Sequence, residues 1–178
     1  WGSSPRGVGS AMLVSKDLQI AGSVSGGCIE GAVIEAAKDV LASGTPKLLT
    51  YGVDDETAYS VGLSCGGEVT VLLERSPRLS PVSATQAVWE VFSSRVNENK
   101  PAVLLTQLSH PDTPGHGGED AQAGGAEPSH PLLVDDRGTV TGDWGVLTEA
   151  ARTLALKAYA ARQSEVAELG GDRIFVQV

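Results

Sequence analysis

The stretch Gly22-Ser23-Val24-Ser25-Gly26-Gly27-Cys28-Ile29-Glu30 decides how the chain is read. It lies between an apolar strand pattern and the start of a helical one. Gly26 and Gly27 allow backbone torsions that a Cβ disfavours, so the amides of this turn can point together at an anion. Cys28 falls at the start of the helical pattern, where unpaired N–H groups favour a thiolate over a thiol. The stretch thus offers an anion cradle and a reactive or metal-seeking sulfur. The same residues also read as a tight turn around a small buried cysteine, because free cysteine is among the most buried residue types.

On the N-terminal side, residues 11–14 and 18–21 form a hairpin pattern around Ser15-Lys16-Asp17. On the C-terminal side, residues 29–42 place Ile29, Val33, Ala36, Ala37, Val40 and Leu41 at helical spacing, with Gly44 and Pro46 as stop signals. Residues 47–51 and 69–73 read as strands. Between them lie a short helical turn over 54–59 and the run Ser64-Cys65-Gly66-Gly67, whose simpler reading is a bulge entering the second strand. Strand, helix and strand in this order suggest a crossover unit and the α/β class. A linker over 75–81, a helix over 82–96 and a strand over 102–107 follow. A second hairpin, over 132–134 and 139–141, leads to a helix over 146–162 and a closing strand over 173–178. Residues 109–131 are mostly Gly, Pro, Ala, Asp, Glu and His, with no apolar residue larger than Ala or Pro, a composition that predicts a disordered loop. His110, His116 and His130 lie inside it or at its edge, and their irregular spacing favours a mobile loop over the alternative of a metal site.

The two hairpins repeat one another. Leu13-Val14, Ile20 and Gly22 recur at identical spacing as Leu133-Val134, Val140 and Gly142. Each set runs into a helix containing Glu-Ala-Ala, at Glu35-Ala36-Ala37 and at Glu149-Ala150-Ala151. The fold expected is α/β, a mixed central sheet flanked by helices and built from two related hairpin-helix-strand halves. The strand over 102–107 precedes the second hairpin, so a matching strand is expected ahead of the first, before Trp1. The second copy has Asp143-Trp144-Gly145 where the first has its Gly-Gly-Cys turn, so that turn is an addition the fold does not require.

Composition narrows the function. The 178 residues carry a net charge of −9 with Lys and Arg scattered, which argues against nucleic acid. No apolar run approaches bilayer length. Two cysteines, each in its own Gly-rich motif, are not a disulfide framework and point to a reducing, cytoplasmic setting. Three Gly/Ser-rich runs, over 2–10, 22–30 and 64–68, supply the chemistry, and Arg6 is the cation among them. A guanidinium there suits a phosphate, and otherwise reads as a solvated loop arginine. Glu30 and Glu68 read as cap or surface acids, either of which could orient a proton donor.

Gly2-Ser3-Ser4-Pro5-Arg6, Gly22–Glu30 as quoted, Tyr51-Gly52 and Gly62-Leu63-Ser64-Cys65-Gly66-Gly67 together resemble the N-terminal domain of the XdhC/CoxI family. Residues 1–178 are expected to form that domain without the family's C-terminal Rossmann domain, since no G-x-G-x-x-G follows a strand pattern. The resemblance implies a carrier and insertion chaperone for the molybdenum cofactor, serving a molybdenum hydroxylase such as xanthine dehydrogenase. It implies a maturation factor rather than a catalyst. The implied partners are the hydroxylase apoenzyme and a cysteine desulfurase, with a homodimer left open. The implied cofactor-binding residues are Arg6, Ser25, Gly26, Gly27, Cys28, Ser64, Cys65, Gly66 and Gly67, with Cys28 as the sulfur toward the metal. Two rival readings stand beside it: a sulfur-transfer protein using Cys28 as a persulfide carrier, and a docking or dimerisation domain without its own ligand.

Overall fold

The computed structural model describes residues 6–27, 29–52, 68–76, 78, 82–108 and 130–178. These form nine strands and three α-helices of the α/β class. They divide into two compact units, one running to Arg75 and the other from Ser76.

In the first unit, β1 (Met12–Val14) and β2 (Ile20–Gly22) pair antiparallel, with Val14 opposite Ile20 and Met12 opposite Gly22. The turn closes on Ser15, whose carbonyl accepts the Leu18 N–H at 3.0 Å while its hydroxyl accepts that of Gln19 at 3.0 Å. Helix α1 (Glu30–Ser43) follows and ends at Gly44, whose left-handed φ of 78° sends its N–H back to the Val40 carbonyl. The Arg75 guanidinium donates to the carbonyls of Leu41 (2.7 Å) and Ala42 (3.2 Å), which a helix end leaves without partners. The expected period is the one used: Val33, Ala37 and Val40 are buried against Val69, Val71 and Leu73, with Ile29. Each such valine contributes roughly 1.5–3 kcal/mol by leaving water.

Strands β3 (Lys47–Gly52) and β4 (Glu68–Leu73) pair in register from Lys47–Leu73 to Gly52–Glu68. They are antiparallel neighbours, which corrects the crossover reading. Every pairing among the described strands is antiparallel. The expected turn over 54–59 and the expected disordered loop over 109–131 fall outside the described residues, apart from His130 and Pro131.

The second unit is one five-stranded sheet in the order β7-β6-β5-β9-β8. The strands are β5 (Ala102–Leu108), β6 (Leu132–Asp135), β7 (Val140–Thr141), β8 (Glu165–Leu169) and β9 (Asp172–Gln177). Helix α2 is Ser83–Asn97, and a 3₁₀ turn at Gly145–Leu147 leads into α3 (Thr148–Ala161). The central strand alternates between two cores, as the two-residue period of a strand requires. Val103 and Leu105 join Leu132, Val134, Ile174 and Val176 against Ala151, Ala155 and Ala158 of α3. Leu104 joins Leu133 and Val88 of α2. The sequence reading missed β8. Its signal was present in the alternating run Glu165–Leu169 and in Gly170-Gly171, which take φ of 64° and 95° in the hairpin to β9.

Arg95 ties α2 to the β6–β7 turn. It donates to the Pro101 carbonyl (2.7 Å) and pairs with Asp135 (3.4 Å) and Asp136. Asp135 in turn accepts the amides of Arg137 (2.9 Å) and Thr139 (2.7 Å). Arg95→Ala is expected to cost about 2 kcal/mol in urea unfolding, because it leaves a half-buried carboxylate without its cation. A loss no larger than that of Lys38→Ala, whose partner Glu35 is exposed, would contradict this.

Candidate functional site

The turn between β2 and α1 is organised by one carboxylate. Glu30 Oε1 accepts the Ser23 hydroxyl (2.6 Å) and the amides of Val24 (3.1 Å), Ser25 (2.9 Å) and Gly26 (3.2 Å). Its Oε2 accepts the Ser25 hydroxyl and the Gly27 amide (2.8 Å). Successive N–H groups can converge in this way because Gly26 and Gly27 both hold positive φ, 85° and 115°. Ser25, 1% exposed, completes the join to the helix by accepting the Ile29 N–H at 3.0 Å.

The anion cradle read from the sequence is therefore present, and the anion it holds is the chain's own Glu30. Burial pushes the Glu30 carboxyl up, but hydrogen bonds from Ser23 and Ser25 and from the backbone outweigh it, and the carboxyl is held well below its ordinary range. The contribution of this group to stability is thus complete above its ordinary value of 4.5 and drains away as the pH falls toward the folded-state value. Acid titration below pH 4.5 is expected to destabilise the wild type more steeply than Glu30→Gln, monitored by thermal melting at each pH. Parallel curves would show that Glu30 carries no such linkage.

Of the expected site residues, Ser25, Gly26 and Gly27 are brought together on this carboxylate. Arg6 is exposed in the segment ahead of β1, where Gly7–Ser10 forms a turn closed by the Ser10 hydroxyl and amide on the Gly7 carbonyl. Cys28, Ser64, Cys65, Gly66 and Gly67 lie outside the described residues. Among the described residues no three His, Cys, Asp or Glu side chains cluster as a metal site. His130 is described, and its carbonyl accepts the Trp144 indole N–H at 2.7 Å. No helix among the described residues is long and apolar enough to cross a membrane.

Sequence reasoning placed Glu30 as a cap or surface acid and did not single out Ser23. The missed signal is the spacing from Gly27 to Glu30, the reach by which the acid of a capping box returns to an amide three residues earlier. The equivalent connection in the second unit is shorter and uses Asp143, which accepts the Gly145 amide (2.8 Å) and the Thr148 hydroxyl (2.9 Å).

A glycine-rich oxyanion cradle between a hairpin and a helix is what the geometry defines. The XdhC and CoxI family model matches residues 1–52, which contain it. The chain is also similar to the molybdenum cofactor insertion chaperone PaoD of Escherichia coli (strain K12), at 30% identity over 103 residues. The similar stretch is 58% of this chain and 30% of the relative, so the chain spans less than a third of the protein it matches.

Proposed function

We propose that this protein binds the molybdenum cofactor and delivers it to a molybdenum hydroxylase apoenzyme, acting as an insertion chaperone. The observation that carries the reading is the family match over residues 1–52, which spans the whole cradle from Gly22 to Glu30. The similarity to PaoD supports the same role. The donor set suits the cofactor's phosphate, since four amides and two hydroxyls there already hold a carboxylate. Ser25, Gly26 and Gly27 would hold that phosphate with Arg6, in competition with Glu30. Ser64, Cys65, Gly66 and Gly67 are proposed as the facing run. The cofactor itself supplies a soft molybdenum centre, toward which Cys28 is proposed as the thiolate.

A xanthine dehydrogenase type of client, a cysteine desulfurase that supplies sulfur to the bound cofactor, and a cytoplasmic setting are part of the same proposal. The test is reconstitution: chain loaded with molybdenum cofactor is mixed with cofactor-free xanthine dehydrogenase, and enzyme activity is followed. Activation faster than that given by free cofactor, and slowed by Arg6→Ala, is the expected result. Activation no better than with free cofactor would reject the delivery role.

A further inference from the structure

We infer that Tyr51 is a further ligand-contacting residue of the cradle, its phenol donating a hydrogen bond to an oxygen of the bound phosphate. The inference rests on the phosphate-binding role proposed for the cradle.

Tyr51 stands near the end of β3, opposite Val69 of β4 and just before Gly52. The chain reverses between Ser43 and Lys47, and two ties fix the near end of the strand pair on the C-terminal part of α1. Lys47 pairs with Asp39 at 2.9 Å, and Arg75, beyond β4, donates to the carbonyls of Leu41 and Ala42. From Lys47 to Tyr51 the strand rises about 13 Å, and from Asp39 back to Glu30 the helix rises about 13 Å. Tyr51 is therefore level with the first turn of α1, where the cradle closes on Glu30. The packing agrees, because Tyr51 lies against the same core as Ile29 and Val24, which flank residues 25–28.

The second unit shows the same placement by direct contact. Val33, Ala37 and Val40 of α1 are spaced as Ala151, Ala155 and Ala158 of α3, and the two helices end on left-handed Gly44 and Arg162. A hairpin follows each at the same spacing, with Lys47 opposite Leu73 and Glu165 opposite Val176. By this alignment Ile29 corresponds to Leu147, each standing just ahead of its helix, and Tyr51-Gly52 corresponds to Leu169-Gly170. A Cβ on Gly170 would come within 2.9 Å of Leu147 Cδ2, so the end of β8 packs on the residue that opens α3. Leu169 fills the core at that end. The first unit keeps this packing position and adds a hydroxyl to it. The second unit has Asp143-Trp144-Gly145 in place of the cradle, and there the position carries no polar group.

The fold makes no use of that hydroxyl. It is bonded to no described residue, and it is not sealed from water. Burial of the ring pushes the phenol above its ordinary pKa, so it is neutral at physiological pH and donates to an anion without repelling it. A phosphate seated on the cradle amides keeps oxygens that the amides do not reach, and a phenol level with the cradle is a donor for one of them.

The test compares the wild type with Tyr51→Phe, which removes the hydroxyl and keeps the ring. Two probes are used: inorganic phosphate, titrated by phosphorus NMR, and molybdenum cofactor, followed by retention on a desalting column. Tyr51→Phe is expected to bind both about tenfold more weakly, with the urea midpoint of the ligand-free protein unchanged. Weaker phosphate binding by Tyr51→Phe, beside a wild type that retains no cofactor, would uphold Tyr51 and reject the cofactor reading. Equal binding of both probes by the two proteins would reject Tyr51 and leave the cofactor reading standing. Weakening toward the cofactor alone would overturn the assignment of the hydroxyl to the phosphate. A lower urea midpoint in Tyr51→Phe would mean that the hydroxyl is bonded within the chain, and would overturn the inference as well. A wild type that binds neither probe would overturn both.

Discussion

Replacing Glu30 by alanine is expected to lower the stability of the chain by about 2–4 kcal/mol in urea unfolding, and to free residues 23–27 for fast hydrogen exchange. Six donors converge on this carboxylate, four of them backbone amides. Bonds to a charged acceptor contribute about 1.5–3 kcal/mol each when desolvated. The total is cut because Gly26 and Gly27 are exposed and water can replace the carboxylate there. Ser25 is the costly member, since its buried hydroxyl loses its acceptor beside the start of α1. Glu30→Gln keeps the shape but sets an NH₂ group against N–H donors, so it should fall between wild type and Glu30→Ala. A Glu30→Ala protein as stable as wild type, with slow exchange over 23–27, would mean that the glycine turn holds its form without the anion.

The second large effect concerns the thiol. In the proposed function Cys28→Ser is expected to reduce molybdenum cofactor retention about tenfold or more while leaving the fold intact. Serine keeps the size of cysteine and its tolerance for a turn, but it loses the soft sulfur and is not ionised at neutral pH. Cys65→Ser is expected to matter less, if that residue mainly shapes its turn. Retention through a desalting column, with circular dichroism as the folding control, separates the two. Equal retention by well-folded wild type and Cys28→Ser would remove Cys28 as the ligand.

Much of this fold was legible because its elements are local. The α1 stripe, the Gly44 stop and the hairpin signals around Ser15 and Asp135 each depend on residues close in sequence, and each matches the structure within a residue or two. Pairing is less local. Strand, helix, strand suggested a crossover, but β3 and β4 are antiparallel neighbours, a fact about register that the intervening composition does not carry. Strand β8 escaped because its Glu-Val-Ala-Glu-Leu alternation is weakly apolar and half exposed, as suits an edge. At the site, the glycines announced a cradle but not its contents. Glu30 looked like an ordinary first-turn acid, and only the positive φ of Gly26 and Gly27 turns four amides onto it.

The central claim is that the cradle-bearing chain holds molybdenum cofactor. Its most direct test is to purify the 178-residue chain from cells that make the cofactor and measure molybdenum and pterin bound per chain. The account expects both to co-elute in equal amounts, displaceable by excess inorganic phosphate, with retention falling in Arg6→Ala. A folded chain that elutes with neither molybdenum nor pterin, and takes up neither when cofactor is added, would contradict it.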